Sequence, residues 1–240
     1  MAKTYNRAPI TEAVIEIRTK TVIGVSDLER LVARFARKFP VPPQKTFEMK
    51  VEVGDAGAKA DQKLTGYRLH AADGSRVLML SLNSIANVKL APYEGWENLV
   101  QEARSNWDVW FKIIGWMPVA RIGVRYVNRI DIPVVGRIEL EDYITFQPAL
   151  PPSLNRGIEH FAMNAVVPLG KEGLNLVLNA GSAPSPIIGN SSIILDLDIS
   201  RDLDLPANET DLWAFIDLMR TQKNEVFEAC ITDKTRALLS

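Results

Sequence analysis

The chain has 240 residues, 47% of them hydrophobic and 24% charged, which is ample for a buried core and excludes disorder as the main state. Its 28 basic and 29 acidic side chains nearly cancel, to a net charge of -1, so bulk charge gives no argument for a nucleic-acid or anionic-membrane partner, and general nucleic-acid binding is not expected. A single cysteine, Cys230, excludes an intrachain disulfide, and residues 1–10 lack the apolar run of a secretory signal, so the expected compartment is the cytoplasm.

Residues 10–20 (ITEAVIEIRTK) alternate and are rich in β-branched side chains, the pattern of a strand. Ser26 with Glu29 reads as a capping box opening a helix whose apolar stripe is Leu28, Leu31, Val32, Phe35 and Phe39, stopped by Pro40. Residues 46–53 alternate again. Residues 54–63 (GDAGAKADQK) are small and polar and read as a loop. Asp73-Gly74 between residues 64–72 and 76–82 signals a hairpin, and residues 85–91 supply a further strand.

The clearest helix follows, with Trp96, Leu99, Val100, Ala103, Trp107, Trp110, Phe111 and Ile114 at helical spacing. Such a stripe is expected to pack on a sheet as core. Residues 119–132 make a long strand. Residues 147–153 (QPALPPS) are a proline-rich connector and the one candidate for a weak internal boundary in a chain otherwise read as a single unit, 1–240. Strands are expected near 159–168, 173–180 and 191–199. The last helix begins near Asn208 and carries Leu212, Phe215, Ile216, Met219, Val226, Phe227 and Cys230, with Lys223 in the same register. Lys223 is expected to lay its stem along this seam and reach water with its amine. Cys230 is expected to be an inert core thiol.

Hairpin-like succession of strands, without strict alternation with helices, points to an α+β fold. We expect a largely antiparallel sheet of about eight or nine strands, open or barrel-like, covered by three long helices. No apolar run is long enough to span a membrane.

Enzyme templates find little support. His70 and His160 are the only imidazoles, and the sequence has no nucleophile elbow, zinc-binding cysteine pattern, P-loop or dinucleotide fingerprint. The informative feature is the placement of charge. Period two puts Arg121, Arg125, Arg129 and Asp131 on one face of their strand, Asp196 and Asp198 on one face of theirs, and Glu16, Arg18 and Lys20 on one face of the first. Each strand thus has one apolar and one ionic face. The ionic faces must meet water, each other or a ligand. In a ligand-lined face Arg18, Lys20, Arg121, Arg125 and Arg129 are the candidate binding residues, since guanidinium forks grip phosphate. Glu16, Asp196 and Asp198 are the candidate ligands for Mg²⁺, which prefers oxygen.

Two resemblances bear on function. The stretches APITEAVIEI (8–17), YEGWENL (93–99), RIGVRYVNRI (121–130), LDLDI (195–199) and FEACIT (227–232) resemble a sporadically distributed family of uncharacterised bacterial proteins of about this length. That likeness implies a bacterial, cytoplasmic, single-chain unit and no particular activity. The alternating ionic faces look like those of triphosphate tunnel metalloenzymes, whose signature is E-x-E-x-K; here Glu16-Ile17-Arg18-Thr19-Lys20 puts arginine at the middle position. Two functions stay open. The first is a non-enzymatic module that binds a partner protein or itself. The second is a binder or Mg-dependent hydrolase of a phosphorylated small molecule.

Overall fold

A computed structural model describes residues 5–54, 57–136, 138–151, 153, 158–170 and 173–240. The elements in chain order are β1 (Ile10–Thr19), α1 (Val25–Phe35), β2 (Gln44–Gly54), β3 (Gly57–His70), β4 (Arg76–Ser81), β5 (Ser84–Leu90), α2 (Trp96–Ile114), β6 (Val119–Pro133), β7 (Ala162–Leu169), β8 (Leu174–Pro184), β9 (Asn190–Arg201), α3 (Glu209–Cys230) and α4 (Asp233–Leu239). The fold is α+β, with a nine-stranded antiparallel sheet in the order β2-β3-β4-β5-β1-β6-β9-β8-β7. The sheet is not a barrel: β2 and β7 are its edges. Backbone bonds from Lys20 N to Pro118 O and from Arg129 N to Pro9 O, near opposite ends of β1 and β6, fix that pair as antiparallel. None of the helices is long and apolar enough to cross a membrane among the described residues.

Packing divides the chain into two units, Val14–Ile122 and Met1–Ala13 with Gly123–Ser240. The connector at 147–153 lies inside the second of these.

In the unit Val14–Ile122, α1 and α2 pack on each other, α1 against β3 and β4 and α2 against β5. Leu28, Leu31, Phe35 and Phe39 are buried as the stripe requires. The capping box does not form. Gly24 is the N-cap, Ser26 lies inside the first turn, and Asp27 pairs with Arg30 instead. On α2, Trp96, Leu99, Ala103, Trp107 and Trp110 are buried. The Trp107 and Trp110 rings stack with an interplanar angle of 6°. Phe111, expected on the stripe, is 42% exposed.

The expected loop at 54–63 is mostly strand. β3 starts at Gly57 and pairs with β2 to form a long hairpin; residues 55 and 56 of that loop lie outside the described residues. The small, polar composition misled because residues 44–51 and 60–63 of this arm are all exposed. Its register sets opposite charges across the pair, Glu48 facing Lys63 and Lys50 facing Asp61. The apolar residues of β2 are not covered by a helix: Phe47, Met49 and Val51 are all exposed. At the base of the arm Gly66 takes a position where a Cβ would run into the Leu80 carbonyl and the Thr46 hydroxyl.

In the unit Met1–Ala13 with Gly123–Ser240, α3 packs on β9. Asn208 caps it, accepting from Asp211 N at 3.0 Å. Its buried residues Leu212, Ile216, Met219, Lys223, Phe227 and Cys230 form one continuous stripe. Burial pushes the Cys230 thiol up to about 11, as an inert core cysteine requires. Tyr5 Oη donates to Glu228 of α3 at 2.6 Å. The short α4 is capped by Thr232 and anchored by Thr235 Oγ1 donating to the Tyr143 carbonyl at 2.6 Å.

Candidate functional site

Strand β6 organises the charged residues. Its Ile122, Val124, Tyr126, Ile130 and Ile132 are buried on one face, leaving the arginines to the other by simple alternation. Within the unit containing Gly123–Ser240, Arg125 faces Asp196 of β9. Its Nε and Nη2 donate to the two carboxylate oxygens at 2.8 Å each, a bidentate pair. Asp196 is buried and also accepts from Asn179 Nδ2 at 3.1 Å, while the Asn179 side-chain oxygen accepts from Asn164 at 2.7 Å. Direct register makes this possible, with Asn164 opposite Asn179 and Asn179 opposite Asp196. The result is a polar row across β6, β9, β8 and β7.

The row borders an open concavity of about 520 Å³, lined by Arg125, Asp196, Asn179 and Asn164 with Val127, Gly181 and Ser182 among its smaller walls. The hydrogen bonds that the Arg125 guanidinium donates to Asp196 raise its pKa. Burial works against this, and the charges of Asp196, Glu12 and Asp198 add to it. Arg125 remains 45% exposed.

Arg129 pairs with Asp131 of its own strand, Nε to Oδ2 at 3.2 Å. Asp131 also accepts from the Ser192 and Ser185 hydroxyls. Burial opposes ionisation of Asp131, but the two serine hydrogen bonds and then Arg129 outweigh it and hold its pKa below the ordinary value.

In the other unit, Arg121 donates to Glu16 Oε2 and Arg18 Nε donates to Glu16 Oε1 at 2.8 Å. Lys20 is exposed. Of the proposed binding residues, Arg18, Lys20 and Arg121 belong to one unit and Arg125 and Arg129 to the other. The proposed metal ligands divide likewise. Glu16 is held by two arginines and Asp196 by Arg125 and Asn179, while Asp198 stands two residues along β9 from Asp196. No group of three or more His, Cys, Asp or Glu that could hold a metal occurs among the described residues.

Sequence reasoning missed two buried polar features. Asn106 of α2 donates to Asn87 at 2.6 Å and accepts from Lys38 at 2.7 Å, and Lys38 also pairs with Glu102 at 3.4 Å. Burial lowers the Lys38 pKa, opposed by Glu102. Asn106 falls between the tryptophans of an apolar stripe, and that break in the pattern was the available signal. The second is Lys223. Its amine does not reach water as expected. The residue is 6% exposed, and Nζ sits over the Tyr126 ring. Burial, then Arg220, lowers its pKa to about 8, with Glu228 opposing.

Asn128, also on the buried face of β6, donates to the Leu195 carbonyl at 3.0 Å and so ties β6 to β9. No protein-family model and no curated protein matches this sequence.

Proposed function

We propose that this chain is a non-enzymatic interaction module of the bacterial cytoplasm, binding a partner protein or itself through exposed parts of its sheet. The observation that carries this reading is that each ladder arginine already meets a carboxylate of its own unit: Arg121 with Glu16, Arg125 with Asp196 and Arg129 with Asp131. A phosphate reaching Arg125 would have to displace Asp196 from two well-aligned nitrogens and leave that buried carboxylate with Asn179 alone. The row of side-chain amides beside small walls offers alternating donors and acceptors, which suits an extended polypeptide segment.

One observation favours the phosphorylated-ligand reading: Nη1 of Arg125 lies outside the pair with Asp196, at a concavity. Thermal melting with inorganic tripolyphosphate, with and without Mg²⁺, separates the two readings, because a ligand bound by the folded state raises the melting temperature. The interaction module gives an unchanged melting temperature. A concentration-dependent rise that Arg125→Lys abolishes would replace it with a phosphate site.

A further inference from the structure

We propose that β2 is a self-complementary docking edge, on which a second copy of this chain pairs antiparallel about Met49. The proposal names the partner left open by the interaction-module reading and rests on it. An edge strand presents unpaired backbone donors and acceptors, and proteins ordinarily blunt such edges with proline, short length or bulges. The two edges here differ. β7 is eight residues long and carries Pro168. β2 is eleven residues long and has no proline. The irregularity in its pairing with β3 falls on β3: Thr46 opposes Gly66 and Phe47 opposes Leu64, so Thr65 is the extra residue and β2 itself runs straight.

The side chains of β2 carry the same message. Phe47, Met49 and Val51 are 47%, 66% and 55% exposed, three large apolar residues on one face of an edge strand. Met49 is the midpoint of Gln44–Gly54, so a two-fold axis there pairs all eleven residues. That one centre sets Phe47 opposite Val51 of the second copy, Met49 opposite Met49, and Glu48 opposite Lys50, the last occurring twice by symmetry. The longest overlap and the matched charges select the same register. Such a contact is isologous and closes at two chains, whereas β2 pairing with β7 of another copy would propagate into filaments and would meet Pro168.

Sedimentation equilibrium on the full chain tests this, with circular-dichroism melting to confirm folding of each variant. The wild type should have about twice the 26.7 kDa mass of one chain at micromolar concentration. Glu48→Lys should weaken the dimer on the order of tenfold, since two attractive pairs become repulsive. Glu48→Lys with Lys50→Glu should restore it to within about threefold. Within one chain Glu48 opposes Lys63 and Lys50 opposes Asp61. If only the hairpin mattered, the double exchange would be worse than the single one. A monomeric wild type, or a double exchange no better than Glu48→Lys, would overturn the proposal. The melting experiment with tripolyphosphate is independent of these outcomes, so failure of the dimer and failure of the interaction-module reading remain distinguishable.

Discussion

Lys223 Nζ lies 3.9 Å from the centroid of the Tyr126 ring, on the buried side of β6. The contact places a cation at the centre of the α3 apolar stripe, where a hydrophobe would be expected, with a π face to receive it. Burial, then the nearby Arg220 charge, outweighs the opposing Glu228 charge and lowers the amine's pKa to about 8 from its ordinary 10.5.

The first prediction follows from that gap. At pH values between about 8 and 10.5 the unfolded chain holds a proton on Lys223 that the folded chain has released. Unfolding then takes up a proton, so stability rises with pH across this window. Below about 8 both states are charged and the full penalty applies, about 3 kcal/mol for the 2.5-unit gap. Lys223→Met should therefore gain about 1–3 kcal/mol at pH 7 and lose the rise between pH 8 and 10.5. Urea unfolding of both chains across that range is the check. A wild type whose stability is flat or falls there would show that the amine is not desolvated in solution.

The second prediction concerns the α2 core. Trp107 is fully buried, and its indole N–H has no hydrogen-bond partner among the described residues. Trp107→Ala should cost about 3–5 kcal/mol through the cavity it leaves. Trp107→Phe should cost much less, about 1–2 kcal/mol, because it keeps an aromatic ring while removing a buried donor that bonds nothing. Urea midpoints read both. Equal losses for the two substitutions would mean that the N–H is satisfied in solution.

How much could be read in advance depended on burial. The α2 and α3 stripes and the alternation of β1, β6 and β9 were legible because each buries one face, and burial imposes a period on the sequence. Arg121 and Arg125 meet Glu16 and Asp196 of other strands, as ionic faces that carry both signs of charge allow, whereas Arg129 turns to Asp131 of its own strand. The β2–β3 arm was not legible. It buries little, so no apolar period marks Gly57 to Lys63, and only its pairing with β2 reveals the strand. The α1 start misled because a Ser-x-x-Glu spacing fits a capping box wherever it falls, while the backbone turns into the helix at Gly24. The Asn106 and Lys223 sites depend on which side chain of another element lies opposite, and one strand or helix alone does not encode that.

The third prediction tests the base of the arm. The Leu80 carbonyl and Thr46 hydroxyl stand where a side chain at residue 66 would go. Both belong to strands paired with β3, so the obstruction is sheet and not a flexible tip. Gly66→Ala should cost about 1–3 kcal/mol, with fastest amide exchange appearing in β2. A neutral substitution by thermal melting would show that β2 and β4 both give way at this position without cost.

The last prediction separates structure from recognition at Arg125. Its partner Asp196 is buried and, among the described residues, takes side-chain hydrogen bonds from Arg125 and Asn179, while Arg125 itself is 45% exposed. Solvent screens the arginine end, so the pair contributes less than a fully buried one. The cost of losing the arginine falls on the carboxylate left behind. Arg125→Ala should destabilise by about 1–2 kcal/mol. Arg125→Lys should recover about half of that, because an ammonium satisfies one carboxylate oxygen where the fork satisfied both. Asp196→Asn with Arg125→Ala should be less harmful than the sum of the single changes, since the double variant buries no unpaired charge. Urea unfolding of this cycle gives the coupling directly. A coupling near zero would mean that water already satisfies Asp196, and that Arg125 is free to meet whatever enters the concavity beside it.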